Sequence, residues 1–289
     1  MTVAIVGAGR VGSGLGRRLR ELGWRIGAVI TRSRATARKA VLAIGGGVAH
    51  AGITRQAVGG DVVLISTADD GIAEAAQELA DIGGEEWRGK IVLHTSGALD
   101  RSVLEPLAER GASTGSIHPL QTFSGRGVPD LDGVVFAIEG DRRAVRMARS
   151  IARSLGGVAV VVESAHKAAY HAAGAMVAGQ GLALVEAATR ILMESGFTRR
   201  NAVHALLPLM RQMLTNFERH GPRVAWTGPH SRGDYETIAR HHAALARFPR
   251  EFGGAYRALT MLAGRVLAGD VAATERGLAG VAELKTAQK

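Results

Sequence analysis

A glycine-spaced turn near residue 1 constrains this chain more than any other feature. Residues 3–6, Val-Ala-Ile-Val, form an apolar run that leads directly into Gly7-Ala8-Gly9-Arg10-Val11-Gly12. A strand that ends on Gly-x-Gly-x-x-Gly and opens a helix is built to hold a dinucleotide phosphate. The first glycine makes the tight turn, the second lets a pyrophosphate reach the backbone, and the third lets helix pack on strand. The helix N-terminus then offers unpaired N–H groups and the positive end of its dipole. Gly7, Gly9, Arg10, Val11 and Gly12 are therefore the first candidate cofactor contacts.

The pattern that follows agrees with such a turn. Residues 26–30, 61–67, 90–95, 113–118, 134–139 and 158–163 are further strand-like runs, and 11–22, 72–82 and 142–155 carry apolar residues at helical spacing. This alternation predicts an α/β fold with a doubly wound, mainly parallel Rossmann sheet. After Glu163 the strand signals stop. Helical patterns then occupy 165–195, 199–220, 234–246, 251–268 and 271–286, with Gly196, Gly221-Pro222, Gly228-Pro229 and Gly269 at the expected breaks. The expected division is a cofactor-binding sheet domain over 1–163 and an all-α domain over 164–289.

Composition narrows the chemistry. The absence of cysteine excludes disulfide scaffolds, thiolate metal sites and cysteine nucleophiles. The net charge of +10 is concentrated partly in residues 1–40, where Glu21 is the one acid. With only 4% aromatic residues there are few platforms for stacking bases, so the excess suits an anionic small molecule better than a nucleic acid. The longest uncharged stretch, 168–185, contains Tyr170, His171 and Gln180 and is too short and polar to predict a membrane span. An apolar strand so close to residue 1 leaves no room for a secretory signal, and the cytoplasm is the expected compartment.

Cofactor preference is read at the end of the second strand, where NAD-binding chains usually place an acid against the ribose hydroxyls. This chain has Thr31-Arg32-Ser33-Arg34 there, with Arg38 following. Arg32 can lie over the adenine or fork onto a 2′-phosphate, Ser33 can donate to it, and Arg34 or Arg38 can add charge. NADP(H) is the expected cofactor. FAD fits less well, because no second set of contact signals is present. Residues 65–70 resemble the fourth-strand loop of nicotinamide enzymes, which implies that Thr67 and Ala68 pass beside the cofactor, while Asp69 and Asp70 are expected to cap the next helix.

The chemical end should lie beyond the carboxyl ends of the strands. Two such ends carry polar groups: His94-Thr95-Ser96-Gly97 and His118-Pro119-Leu120-Gln121-Thr122-Phe123. Pro119 helps end its strand and leaves the His118 imidazole at the ligand edge, suited to the proton that accompanies hydride transfer. Ser96 can orient a substrate oxygen or satisfy a turn. Lys167, Tyr170 and His171 are three and four residues apart, so one helix face carries an ammonium, a phenol and an imidazole. Arg232 is suited to a substrate carboxylate or phosphate, and Asp234 to capping a helix. His230, His241 and His242 have no recognised ligand spacing, and no metal site is expected.

Residues 7–12, 61–72, 94–97, 117–123, 170–173 and 227–234, in this order, resemble the bacterial family that joins a Rossmann-like N-terminal domain to a C-terminal domain of unknown function of the DUF2520 type. That family is grouped with pyrroline-5-carboxylate reductase, ketopantoate reductase and 6-phosphogluconate dehydrogenase. The resemblance implies a C-terminal domain like that of 6-phosphogluconate dehydrogenase, a homodimer through that helical domain, and an active site between domains. The Ser96 and His118 arrangement also resembles prephenate and arogenate dehydrogenases, which implies His118 as acid/base. Similarity to ketopantoate reductase implies a catalytic lysine, for which Lys167 is the nearest equivalent. The family pattern has an asparagine about two helical turns after the Tyr-His pair, where this chain has Gly179.

The resulting expectation is an NADP-dependent oxidoreductase reducing a small anionic carbonyl or imine. Ser96, His118, Lys167 and His171 would serve catalysis, and Tyr170 and Arg232 would bind substrate. The alternative is a non-catalytic NADP(H)-binding sensor or regulatory protein.

Overall fold

The computed structural model describes residues 1–283, with side chains described through residue 279. The first strands and helices are β1 (Thr2–Val6), α1 (Arg10–Glu21), β2 (Arg25–Thr31), α2 (Arg34–Ile44), β3 (Val48–Ala51), β4 (Val62–Ile65), α3 (Ile72–Gly83), β5 (Ile91–His94) and α4 (Glu105–Glu109). They continue as β6 (Ser113–Pro119), β7 (Val135–Gly140), α5 (Arg142–Ser154), β8 (Val158–Val161) and α6 (Lys167–Ala175). A π-helical turn at Met176–Gln180 precedes α7 (Gly181–Glu194), α8 (Arg199–Ala225), α9 (Tyr235–Leu245), α10 (Arg250–Leu267) and α11 (Val271–Glu283).

The strands form one eight-stranded sheet in the order β3-β2-β1-β4-β5-β6-β7-β8, with β6–β7 as its antiparallel pairing. Alternation along β1 shows why helices cover both faces. Val3 and Ile5 enter a core with Leu15 and Leu19 of α1, Ile44 of α2 and Ile151 of α5. Ala4 and Val6 enter a second core with Leu79 of α3, Trp87 and Leu107 of α4. A strand buried on both faces is apolar throughout, which is why it reads as a continuous run rather than an alternating one.

The chain divides into two compact units, one covering Met1–Gln180 and the other beginning at Gly181. The strand pattern ends near the expected 163/164 boundary, but α6 stays with the sheet. The Lys167 ammonium donates to Ser116 in β6, and the Tyr170 hydroxyl meets His118 in the same strand. Local pattern marks the change from strand to helix. Side chains reaching back across 51 and 52 residues decide which unit the first helix joins.

In the helical unit, Thr198 caps α8 and Asp234 caps α9 by accepting from Thr237 N–H at 3.1 Å. Gly221 breaks the helical backbone inside α8 at φ 77°, where the Gly-Pro signal predicted an end. Ile238 and Leu278 form a small core with Tyr235, Tyr256 and Met261. The expected end of the last helix at residue 286 lies outside the described residues. The run Ser164–Glu194 spans 31 residues, and its most apolar 18-residue stretch has mean hydropathy 1.2, enough by length and composition to cross a membrane; 6% of that stretch is buried.

Candidate functional site

At the carboxyl ends of the strands, a cavity of about 370 Å³ is lined entirely by the sheet unit. Gly9, Arg10 and Val11 form one end of its wall and Ser96, Gly97, His118 and His171 another, with Thr67, Ala68 and Asp69 also contributing. Thr95, Pro119, Gln121 and Ser66 complete it.

The phosphate end is built from backbone. Gly7 has φ 81°, and a Cβ there would stand 2.5 Å from the Thr67 backbone nitrogen. That backbone cannot yield as a flexible side chain would, so the turn requires glycine twice over. A Cβ on Gly12 would meet Gly7 O at 3.0 Å and Ser66 Cβ at 3.1 Å, the close approach of helix to strand. A Cβ on Gly9 would find only Gly7 O, at 4.0 Å, which leaves room above the turn for a ligand. The α1 N-terminus has no side-chain cap and no acid in its first turn. Thr67 Oγ1 is buried without a hydrogen-bond partner. Uncapped N–H groups, an open cradle and an orphaned hydroxyl together fit the phosphates of a dinucleotide.

At the β2–α2 junction, Arg32, Arg34 and Arg38 are exposed, and among the described residues none of them forms an ion pair. Ser33 has a local task as well: its Oγ accepts from Thr36 N–H at 3.2 Å and caps α2. Thr31 donates to the Ser33 carbonyl at 2.8 Å. Asp69 and Asp70 do not cap a helix as expected, because the chain first makes a short 3₁₀ turn at Asp69–Gly71 and neither carboxylate accepts from its N–H groups. This leaves the Asp69 carboxylate free to line the cavity.

The chemical end is built from side chains. His118 Nδ1 lies 2.9 Å from the Tyr170 hydroxyl, and the His118 ring stands edge-on to both Tyr170 and His171 at 5.6 Å. Gly97 makes this packing possible. Its Cβ would fall 2.7 Å from His171 Cδ2 and 2.9 Å from His118 Nε2. Burial, then the proximity of His171 and Lys167, pushes His118 down to about 4, and burial pushes Tyr170 up to about 12. Near neutral pH the site therefore holds an uncharged imidazole against an un-ionised phenol.

Ser96 Oγ accepts from the N–H groups of Ala98 and Leu99, both at 3.1 Å, so its acceptor capacity serves the turn and its hydrogen remains to donate. Lys167 is 2% exposed and is not part of the cavity wall. Its Nζ donates to Ser116 Oγ at 2.6 Å and to the Ser96 carbonyl at 3.4 Å. Burial lowers its pKa, opposed chiefly by Glu139. His94, wholly buried behind the turn, is pushed down to about 4 by burial while its Nδ1 accepts from Ser96 N–H at 3.2 Å.

Of the candidate residues, Ser96, His118, Tyr170 and His171 converge, with Lys167 behind them. Arg232 is exposed in the helical unit. Near it in sequence, His230 Nε2 bonds Thr260 Oγ1 at 3.0 Å, and Tyr256 is bonded to His241 Nδ1 at 2.7 Å. Among the described residues no group of three or more metal-ligating side chains is present. Gly97, Gln121 and Asp69 were passed over as site residues, although all three lie inside motifs singled out in the sequence. Glu139 was missed altogether, its one signal being an acid within an apolar strand.

The comparisons with known proteins agree with this geometry. Residues 1–119 match a Rossmann-like domain, and residues 134–262 match a domain of unknown function, DUF2520. No curated protein matches this chain. A Bacteroides fragilis protein provisionally named an NADP oxidoreductase is 22% identical with a TM-score of 0.74, over 90% of this chain and 96% of that one. A Streptomyces aurantiacus imine reductase is 16% identical with a TM-score of 0.65, over 96% and 99%. An Aspergillus terreus reductive aminase, solved with NADPH and ethyl-5-oxohexanoate, is 17% identical with a TM-score of 0.65, over 94% and 97%. At these identities the likeness establishes the fold.

Proposed function

We propose that this Rossmann-like protein is an NADP(H)-dependent oxidoreductase that reduces a small anionic carbonyl or imine. The observation that carries the reading is the shared cavity: an open, uncapped glycine turn and a pair of imidazoles line the same space. The structural neighbours named for imine reduction, reductive amination and NADP oxidoreduction support it. A sensor needs a nucleotide-binding turn but has no need of a buried, uncharged His118 imidazole beside it.

Gly7, Gly9, Arg10, Val11 and Gly12 would hold the pyrophosphate, Thr67 and Ala68 would flank the nucleotide, and Thr31, Arg32 and Ser33 would meet the ribose end. The nicotinamide supplies the hydride when bound. In this reading the Tyr170 hydroxyl is the donor to His118 Nδ1, which puts the imidazole hydrogen on Nε2. That N–H polarises the substrate oxygen or nitrogen; as it passes its proton to that atom, Nδ1 takes the Tyr170 hydroxyl hydrogen, so the ring stays neutral and the phenolate regains a proton from solvent. Ser96 and His171 orient the same atom, while Lys167 holds the turn from behind. Arg232 is our candidate for the acidic group of the substrate.

We place the protein in the cytoplasm as a soluble homodimer through its helical unit. Exposed Leu182, Leu209, Leu214, Phe217 and Val266 in that unit are the apolar surface a second copy would cover. The deciding experiment is a titration with NADPH and NADH, followed by fluorescence and thermal stability, on the wild type and Arg32→Ala. NADPH should bind tightly, and Arg32→Ala should weaken it about tenfold while leaving NADH unchanged. Absence of stabilisation by either nucleotide overturns the reading. Tight binding without turnover across oxo-acids and imines would favour the sensor.

A further inference from the structure

Glu139 is 6% exposed near the end of β7, one strand in from the edge of the sheet, and lines no part of the cavity, yet it ties together two segments that lead to it. Its Oε2 accepts from Arg101 N–H at 2.9 Å, in the segment that leaves the Ser96–Gly97 turn. Its Oε1 accepts from the Ser164 hydroxyl at 3.1 Å, just before α6. In the β6–β7 register Glu139 stands opposite Ser116. Ser116 receives the short bond from Lys167, whose ammonium also reaches the Ser96 carbonyl.

The geometry follows a single path. Ser116 and His118 are two residues apart on one strand and so project from the same face of the sheet. Ser96 precedes Gly97, where an added Cβ would clash with both imidazole rings, so the two rings pack against this turn. Lys167 thus grips the strand of one histidine and the turn against which both pack, while α6 presents Tyr170 and His171. A buried ammonium is costly without an opposing charge, and Glu139 is the foremost carboxylate acting on it.

We propose that Glu139 and Lys167 are a positioning pair that seats the Ser96–Gly97 turn, the end of β6 and the start of α6 in one arrangement, without touching substrate. The proposal rests on the oxidoreductase reading for its catalytic consequence, but its structural content holds in the protein alone. It converts a lysine expected to act on substrate into one that acts through His118.

The test is imidazole 1H–15N spectroscopy with pH titration on wild type, Lys167→Met, Glu139→Gln and Ser116→Ala, alongside NADPH affinity. The groups acting on His118 are His171, Tyr170 and Lys167 from α6, Asp69 from the loop after β4, and His94 from β5. Lys167→Met should move the His118 midpoint upward by about one unit or more, because a facing cation is lost. Glu139→Gln should displace the His118 and His171 resonances, and Ser116→Ala, which keeps both charges, should displace them less. His230 and His241 should not move, and NADPH affinity should stay within about twofold. Unchanged His118 and His171 signals in all folded variants overturn the proposal. Equal movement of His230 and His241 also overturns it, since that signals general loosening. Failure of the wild type to bind NADPH would instead count against the oxidoreductase reading and leave the imidazole result standing.

Discussion

The two ends of the cavity are made differently. At the phosphate end the functional atoms are backbone N–H groups, and the residues that matter are glycines required by a positive φ at Gly7 and a close packing at Gly12. At the chemical end the functional atoms belong to side chains brought from β5, β6 and α6, with 52 residues separating His118 from its Tyr170 partner. The first is a local solution that a dozen residues can specify. The second exists only once the sheet has formed and α6 has docked on it. Substitutions should therefore fail in different ways at the two ends.

Acid should strike the chemical end hardest. His94 and His118 both lie at about 4, below the ordinary histidine value of 6.5. Between those values the unfolded chain binds more protons than the folded one, so stability rises with pH. The contribution is complete above about pH 6.5 and is lost as pH falls towards 4. For wholly buried His94 it is on the order of 3 kcal/mol, and for partly solvated His118 less. Thermal unfolding from pH 7 to 4 should show a steep fall, reduced in a His94→Gln variant. A flat profile would mean that the two imidazoles are not held neutral by burial.

A pair of glycine substitutions then separates the ends directly. Gly97→Ala puts a methyl between His118 and His171 and should lower reductive turnover roughly 100-fold, with NADPH affinity nearly intact. Gly7→Ala meets the Thr67 backbone and should abolish NADPH binding and destabilise the protein by about 2 kcal/mol, leaving the imidazole signals in place. If both variants lose nucleotide binding and turnover equally, the cavity is one cooperative unit and the distinction fails.

The smallest effect should come from Tyr170→Phe. It removes one hydrogen bond to His118 and releases the preference for hydrogen on Nε2. Turnover should fall about tenfold with unchanged KM for NADPH, consistent with a bond of about 1.4 kcal/mol. Unaltered turnover would show that the His118 tautomer is set without the phenol.

Particular residues show how much of this was legible beforehand. Gly7, Gly9 and Gly12 could be read because strand, turn and helix start are adjacent in the chain, and the turn geometry excludes other residue types. His118 could be read because Pro119 ends its strand at the ligand edge. Ser33 and Asp69 show the reverse, since the same residue types serve caps, turns and ligands. Ser33 does cap its helix, while Asp69 opens a 3₁₀ turn that the pattern did not reveal and lines the cavity. The edge strand β3, with none of its residues buried, and the five-residue α4 were missed. So short a segment draws its stability from neighbours in the sheet rather than from its own periodicity.

The sequence by itself determined the alternation of strands and helices, the phosphate turn and the switch to an all-α half, because each depends on local backbone geometry and short-range hydrophobic spacing. Only the tertiary structure decided that α6 belongs with the sheet, that Gly97 lies against two imidazoles, and that Lys167 faces Ser116 rather than the cavity. Those outcomes depend on side chains meeting across 50 or more residues. No local pattern encodes such a distance. It is settled by which arrangement best satisfies the buried polar groups of Ser96, Ser116, Glu139 and Lys167 at once.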